Sequence, residues 1–252
     1  MAEQGSLNAS ILGPGVTPDA PEFSLFVDEV VPEMSTKSGQ KCTAIRRVLA
    51  PEMLLGPKPE ALSARLAGAV AADPGNEATR PGMLVSLASK ADAPSRVAEI
   101  GSEAQLIHGN PTEAGGPKSA LLSPLLFHCA DPDGARRVHE TEPFGPDSIL
   151  LAYLDIDHAA ALANRVRGSL VAPVIPRVAG VARQLVTSCA AWHGHLYSRN
   201  RDSMAEATGH GAPLPRIHHR GPGRADAAKN LTAFAACFTT CNAPPIRAAP
   251  TS

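Results

Sequence analysis

The sequence predicts an α/β fold with a largely parallel sheet. Segments rich in Val, Ile and Leu alternate along the chain with segments whose apolar residues follow helical spacing. Such alternation is typical of a parallel sheet whose strands are connected by helices. The chain has 252 residues, of which 44% are hydrophobic, so it is long enough to bury a sizeable core. Its 24 Pro and 21 Gly residues predict many loops and interrupted elements.

The first predicted elements are a strand and a helix. Residues 6–12 are strand-like and end at a Gly-Pro-Gly turn signal. A helix follows, because apolar residues recur every three or four positions from Phe23 to Met34. Pro32 lies inside this helix and removes a hydrogen bond at a cost of roughly 3 kcal/mol, so we expect a kink or an early end there.

The later elements continue the alternation of strands and helices. In chain order they are a polar loop at 37–40, a strand at 43–49, a helix at 62–70, a strand at 149–154, a helix at 157–166, a strand at 169–175, a helix at 178–191 and a short strand at 195–197. Asp157 is predicted to be an N-cap, since Asp accepts hydrogen bonds from free N–H groups at helix starts. Pro173 and Pro176 cannot donate to a sheet ladder, so their strand is predicted to be an edge strand or poorly formed. We expect loops from residue 208 onward and a flexible tail at 244–252.

Charge and hydropathy argue against two classes of partner. The formal net charge is −1, which gives no basis for neutralising a row of phosphates in nucleic acid. The longest apolar stretches, such as residues 149–154, are too short to span a bilayer. The first eight residues do not have the pattern of a secretory signal, and five cysteines without a regular framework suit a reducing compartment. These features predict a cytoplasmic protein with no nucleic-acid or membrane partner.

The segment SGQKCTAIRR at residues 38–47 carries the main chemical signal. A short loop with glycine delivers Cys42 just before an apolar strand. In such a place the thiol pKa can be lowered by backbone N–H groups and by Lys41, which gives the thiolate that attacks carbonyls. A single cysteine in a loop is more often structural, so the position alone does not decide between these readings. Arg46 and Arg47 are predicted to lie along an edge strand.

The longer pattern around Cys42 resembles the aldehyde dehydrogenase family, in particular its members from phenylacetate and benzoate degradation. Several further strings agree with that family in the same order, over about residues 2–245. They are SLN at 6–8, ETEPFGP at 140–146, ALANR followed by GSLV, then WHG, ATGHGAPLP and GPGRA. The ordered set of strings makes the resemblance specific. It implies a three-layer catalytic domain at residues 1–243, without the family's Rossmann-like NAD-binding domain.

The resemblance also implies the site residues and the reaction. Cys42 would be the catalytic nucleophile and Glu3 the general base that activates water. Glu142 would bind the nicotinamide ribose of NAD or NADP, and Phe144 would pack beside the ring. The Cys42 backbone N–H and a family asparagine outside this sequence would hold the oxyanion. The expected substrate is a small-molecule aldehyde, with a CoA-linked semialdehyde favoured, whose CoA phosphates could contact Arg46 and Arg47. A homo-oligomer is one expected assembly.

The sequence leaves alternatives to this activity open. No glycine-rich dinucleotide fingerprint is present, so we expect this chain alone to bind NAD or NADP weakly. An inactive paralogue, a fragment with an interaction role, and a cofactor-free thiol esterase that uses Cys42 remain alternatives. No metal site is predicted, because Cys237 and Cys241, and the His pairs 193/195 and 218/219, do not supply four ligands in zinc spacing. His210 is more often a loop residue than a substrate contact.

Overall fold

A computed structural model describes residues 6–55, 64–65, 82–111, 119–142, 145–166 and 168–199. The predicted helix at 62–70 lies almost wholly outside these ranges, as do the predicted loops from residue 208 and the predicted tail at 244–252.

Strands and helices alternate along the described residues. The strands are β1 (Asn8–Leu12), β2 (Ile45–Pro51), β3 (Gly82–Met83), β4 (Gln105–His108), β5 (Leu121–Leu122), β6 (Leu125–Cys129), β7 (Asp147–Tyr153), β8 (Ser169–Ile175) and β9 (His193–Ser198). The α-helices are α1 (Pro21–Ser35), α2 (Glu52–Leu55), α3 (Leu87–Gly101), α4 (Arg137–Glu140), α5 (Ile156–Asn164) and α6 (Ala179–Cys189), and a 3-10 turn (Thr36–Gly39) follows α1. Helix α1 continues past Pro32 for three residues before it ends.

Seven of these strands form one sheet in the order β4-β6-β7-β2-β1-β8-β9. The β4–β6 pair is antiparallel, and the other neighbouring pairs are parallel. Strands β3 and β5 form a separate antiparallel pair. The central strands β1 and β2 are buried along their whole length, which explains their apolar sequences, since both faces of such a strand are covered. The predicted largely parallel α/β sheet is confirmed.

Helices cover both faces of the sheet. On one face α1 and α2 pack against the strands, with Phe23, Phe26 and Met34 in the buried cluster. On the other face α5 and α6 pack beside each other and bury Leu162 and Leu185. The prediction of three layers is therefore confirmed.

The prediction for the proline-containing strand is wrong. Strand β8 lies between β1 and β9, runs unbroken through Pro173 and is buried throughout. Its pairing with β1 covers only Val174 and Ile175, which follow the proline. Before the proline, the N–H groups of Leu170 and Val171 instead donate to the side-chain oxygen of Asn8. The ladder thus tolerates the proline because its contact with β1 begins beyond that residue.

The predicted N-cap of helix α5 is also wrong. The cap is Asp155, whose Oδ1 accepts a hydrogen bond from the N–H of His158 at 2.8 Å. Asp157 lies in the first turn, where its Oδ1 accepts a hydrogen bond from Nε2 of Gln184 on α6 at 2.9 Å. Both residues are acidic and lie near the helix start, so local sequence alone did not separate their roles.

Candidate active site

The candidate site lies where parallel strands β1, β2 and β7 begin. Because the strands run in the same direction, their amino ends meet at one edge of the sheet, and Asn8 pairs with Ile45 there. Cys42 precedes β2 and Glu142 precedes β7. Two segments that are 100 residues apart in sequence therefore arrive at the same edge.

The loop before Cys42 has an unusual backbone. Lys37 and Ser38 have positive φ angles of 54° and 57°, and Gly39 follows with φ 66°. Such a left-handed conformation costs a non-glycine residue roughly 1–2 kcal/mol, and strain of this kind is concentrated at functional sites. Gly39 cannot carry a side chain, because a Cβ atom would collide with the backbone carbonyl of Gly145. The loop is therefore packed directly against the segment that leads into β7.

Cys42 itself is exposed at the end of this loop. A hydrogen bond of 3.1 Å from the N–H of Ala44 to the carbonyl of Lys41 closes a turn around the cysteine. The Lys41 Nζ lies 2.6 Å from Oε2 of Glu33 on helix α1. Any effect of the lysine charge on the thiol is therefore shared with this carboxylate.

The side chain of Asn8 connects the cysteine turn to the sheet. Its Nδ2 donates hydrogen bonds to the carbonyls of Cys42 at 2.8 Å and Ala44 at 2.9 Å. Its Oδ1 accepts hydrogen bonds from Leu170 N–H and Val171 N–H, each at 3.0 Å. Asn8 is fully buried, so these contacts are not in competition with solvent.

Arg46 connects the cysteine loop to the segment before β7. Its Nη2 donates to the carbonyl of Gly39 at 2.6 Å, and its Nη1 donates to the carbonyl of Gly145. The same guanidinium lies 3.3 Å from Glu142 Oε1 and 3.3 Å from Asp147 Oδ1. Arg46 is only 1% exposed, so one buried cation links both segments of the candidate site.

Burial dominates the protonation of the two carboxylates. The pKa of Asp147 is raised to about 6, because desolvation outweighs the opposing effect of Arg46. Burial also raises the pKa of Glu142, and Arg46 and a hydrogen bond from the backbone N–H of Ser6 act against it. That hydrogen bond to Glu142 Oε2 is 2.7 Å long. The segment that leads into β1 thus contacts Glu142 directly.

The prediction that Arg46 and Arg47 lie on an edge strand is wrong. Both are on β2, which is flanked by β1 and β7, and Arg47 is fully buried. Arg47 donates to the carbonyls of Leu7, Leu162 and Ala163, the last two at the C-terminal end of helix α5. Burial lowers its pKa to about 9. Both guanidinium groups are engaged inside the protein, which argues against the predicted contact with CoA phosphates.

Two of the four predicted site residues can be located. The structure places Cys42 and Glu142 at the same sheet edge, whereas Glu3 and Phe144 lie outside the described residues. Sequence reasoning did not assign the roles of Asn8 and Arg46. Their signal was a polar residue inside an otherwise apolar strand pattern, which requires a buried partner.

The other candidate ligands give no metal centre in the part of the chain that is described. No group of three or more His, Cys, Asp or Glu side chains is placed there to hold a metal ion. His193 is buried, and desolvation lowers its pKa to about 4. Its Nδ1 lies 3.0 Å from the carbonyl of Cys189. His210, the 218/219 pair, Cys237 and Cys241 lie outside the described residues. Within the described ranges, no helix has the length and apolar character needed to cross a membrane.

The fold and the site define an α/β protein that presents a cysteine at the amino ends of parallel strands. Residues 1–205 match the model of the aldehyde dehydrogenase family, and the chain belongs to that family. The resemblance seen in the sequence is therefore confirmed.

Individual relatives support the same assignment. The chain is 40% identical over 225 residues to the 3,4-dehydroadipyl-CoA semialdehyde dehydrogenase of Aromatoleum evansii, which covers 87% of this chain and 44% of that relative. It is 26% identical over 197 residues to the NADP+ succinate-semialdehyde dehydrogenase of Deinococcus radiodurans, which covers 75% of this chain and 40% of the relative. A Pseudomonas syringae aldehyde dehydrogenase crystallised with NAD+ and octanal superposes with a TM-score of 0.64 at 27% identity, over 79% of this chain and 39% of that one. The chain thus spans less than half the length of each.

Proposed function

We propose that this chain carries the catalytic cysteine of an aldehyde oxidation that depends on NAD or NADP. The single observation that supports this best is the placement of Cys42. The cysteine is exposed, it lies in a hydrogen-bonded turn after a left-handed loop, and it shares its sheet edge with Glu142. Membership of the aldehyde dehydrogenase family supplies the type of reaction.

The environment of Glu142 fits its proposed contact with a nicotinamide ribose. A carboxylate offers about four acceptor sites. Two are used by the N–H of Ser6 and the Nε of Arg46, so acceptor capacity remains for ribose hydroxyls. The side chain is 11% exposed, which leaves it accessible from the edge of the sheet. Phe144 is proposed to pack beside the nicotinamide ring, whose bound form supplies the acceptor for hydride.

The chain's own residues would carry the covalent chemistry. The Cys42 thiolate adds to the aldehyde carbon, so a carbon–sulfur bond forms and the carbonyl oxygen becomes an oxyanion. The backbone N–H of Cys42 donates to that oxyanion. Once the bound substrate has been oxidised to a thioester, Glu3 takes a proton from water. The resulting hydroxide attacks the acyl carbon and releases the acid and the thiolate.

The proposed substrate class is a CoA-linked semialdehyde in aromatic-compound catabolism, which includes phenylacetate degradation. The similarity to the relative named as a 3,4-dehydroadipyl-CoA semialdehyde dehydrogenase supports this choice. We propose a cytoplasmic location, since the substrate and cofactor classes are metabolites of that compartment. Assembly into a homo-oligomer is part of the same proposal.

Thiol mapping tests the role of Cys42. Iodoacetamide below one equivalent should label Cys42 first, and prior addition of an aldehyde should slow that labelling. Cys129 and Cys189 are internal controls, because burial raises their pKa values to about 11 and about 12. The variant Cys42→Ser should lose the fast label and leave the slow ones. Faster labelling of Cys129, Cys189, Cys237 or Cys241 than of Cys42 would refute the assignment.

Activity measurements separate the proposal from its alternatives. The chain is assayed with NAD or NADP and either a CoA-linked or a free semialdehyde, and Cys42→Ser should abolish any reduction of the cofactor. Calorimetry with NAD and NADP measures whether the chain alone holds the cofactor. Ester hydrolysis that needs Cys42 but no cofactor would favour a thiol esterase. Absence of labelling, oxidation and hydrolysis would favour an inactive paralogue or interaction fragment.

A further inference from the structure

The side chain of Asn8 has every hydrogen-bonding group of its amide engaged. Both Nδ2 hydrogens have an acceptor, in the carbonyls of Cys42 and Ala44. The Oδ1 atom accepts from the N–H groups of Leu170 and Val171 and from Oγ of Ser6 at 2.7 Å. The residue is fully buried. An amide whose five contacts are satisfied inside a sheet has one orientation, because any flip would bring Nδ2 against N–H donors.

The acceptor side of this amide is fixed by the sheet itself. Strands β1 and β8 pair at Ile11 and Leu12, while Asn8 lies before the start of that pairing. Its Oδ1 therefore takes the place of a backbone acceptor for the N–H groups of Leu170 and Val171. Because Oδ1 is held by these backbone N–H groups, the Nδ2 group of Asn8 is fixed in its direction toward the cysteine turn.

We propose that Asn8 is a positioning residue that holds Cys42 in the conformation needed for attack on a carbonyl. The two carbonyls it binds belong to the peptide planes that follow Cys42 and Ala44, so the Thr43–Ala44 segment between them is anchored at both ends. Fixing the Cys42 carbonyl restricts ψ of the cysteine, and the direction of its side chain then follows from the turn. This role rests on the proposed function of Cys42 as the nucleophile.

Positioning predicts a difference between two reactions of the same thiol. Alkylation by iodoacetamide needs only an accessible thiolate, whereas acylation by p-nitrophenyl acetate also needs the carbonyl oxygen to reach the N–H of Cys42. The ratio of the acylation rate to the alkylation rate therefore reports geometry and cancels changes in thiolate fraction. The clamp is the pair of hydrogen bonds from Asn8 Nδ2 to the Cys42 and Ala44 carbonyls. Its loss should lower this ratio in the full chain by about tenfold, the effect expected from one or two hydrogen bonds.

Two variants and a matched control test the clamp. Asn8→Ala removes both sides of the amide, while Asn8→Asp keeps an acceptor for Leu170 and Val171 but loses the donors to Cys42. Both should show the lowered ratio. Ser10→Ala is the control, because Ser10 is also fully buried on β1 and its Oγ has no partner among the described residues. The control should keep the parent ratio.

The outcomes distinguish this inference from the proposed function. An unchanged ratio in Asn8→Asp would overturn the positioning role, even if Asn8→Ala lowers stability. If neither variant folds, hydrogen exchange of the Asn8 Nδ2 protons in the parent chain decides. Slow exchange supports the clamp, and exchange at the rate of a free amide overturns it. Failure of parent Cys42 to be acylated or labelled first refutes the proposed function itself, whatever the variants do.

Discussion

Arg46 offers the sharpest test of how the candidate site is held together. The variant Arg46→Met keeps a long side chain but removes the cation that joins Gly39, Gly145, Glu142 and Asp147. Breaking a buried ion pair by removing one partner costs about 3–5 kcal/mol, because the remaining charge has no compensation. Since Arg46 is 1% exposed, water cannot easily replace it. We therefore expect a loss of this size in the free energy of unfolding at pH 7.

The same variant should have a characteristic dependence on pH. Burial raises the folded-state pKa of Asp147 from 3.8 to about 6, and the charge of Arg46 is the largest of the effects that oppose this rise. A raised folded pKa means that stability present at low pH is lost as pH rises through that value. Without Arg46 the pKa rises further, so the variant loses stability over a wider range and up to a higher pH. The parent already loses stability between pH 5 and the Asp147 pKa of about 6, so the cost of the substitution should be larger at pH 7 than at pH 5 by up to about 1.4 kcal/mol, at 1.36 kcal/mol for each unit of pKa.

A double-mutant cycle with Asp147→Asn isolates the interaction. Urea unfolding of the parent chain, both single variants and the double variant is measured at pH 5 and pH 7. In the Asp147→Asn background, Arg46→Met should cost less, and most of the pH dependence of that cost should disappear. An Arg46→Met cost below about 1 kcal/mol at pH 7, or a cost with the same pH dependence in both backgrounds, would refute the buried network.

Two further pairs of substitutions test the loop and the corrected helix cap. Gly39→Ala should lower the free energy of unfolding by roughly 2–4 kcal/mol, because positive φ and a collision with Gly145 act together. The control Gly15→Ala, at φ +75° in open space, should cost only about 1 kcal/mol. Equal costs in thermal unfolding would contradict the close approach of Gly39 to Gly145. Asp155→Ala should cost about 1 kcal/mol as the loss of an N-cap, and Asp157→Ala should cost less. The reverse order in urea unfolding would restore the original assignment of the cap.

The fold class could be predicted because local patterns and tertiary structure agree in most elements. Strand β1 and helix α1 each have the spacing of apolar residues that their environment requires. Helix α3 and strands β4 and β6 were not predicted. Helix α3 buries only Ala93 and Ile100, so its apolar periodicity is weak. Strand β6 is a short five-residue run, which sequence alone does not distinguish from a buried helical segment.

The incorrect prediction for β8 has a tertiary cause. The sequence shows correctly that Pro173 has no N–H to donate to a neighbouring strand. The sequence does not show which neighbouring strand a residue at this position would have donated to. In the structure, the pairing of β8 with β1 begins after the proline. The acceptor needed by the earlier part of β8 comes from Asn8, which is more than 160 residues away in the sequence. A substitute of this kind cannot be found from local sequence.

The candidate site shows the same division between local and distant information. The string around Cys42 is contiguous, so its resemblance to a family could be recognised directly. The residues that hold it are scattered: Asn8 acts from β1, and Arg46 acts through Gly145 and Glu142. Consecutive arginines in a strand are usually solvent-facing, which explains why Arg46 was assigned to an edge. Only the sheet order, with β2 between β1 and β7, shows that this charge must be buried.

These contacts explain how a strained cysteine loop can be maintained at the start of a sheet. Lys37 and Ser38 favour relaxation toward negative φ, and an exposed loop would normally relax in that way. Arg46 donates a hydrogen bond to the loop at the Gly39 carbonyl, and Asn8 donates one at the Cys42 carbonyl. Since both anchors belong to central, buried strands, moving the cysteine requires disturbing the sheet. The orientation of the thiol is thus coupled to the global stability of the domain, and substitutions at either anchor should alter reactivity without touching the sulfur.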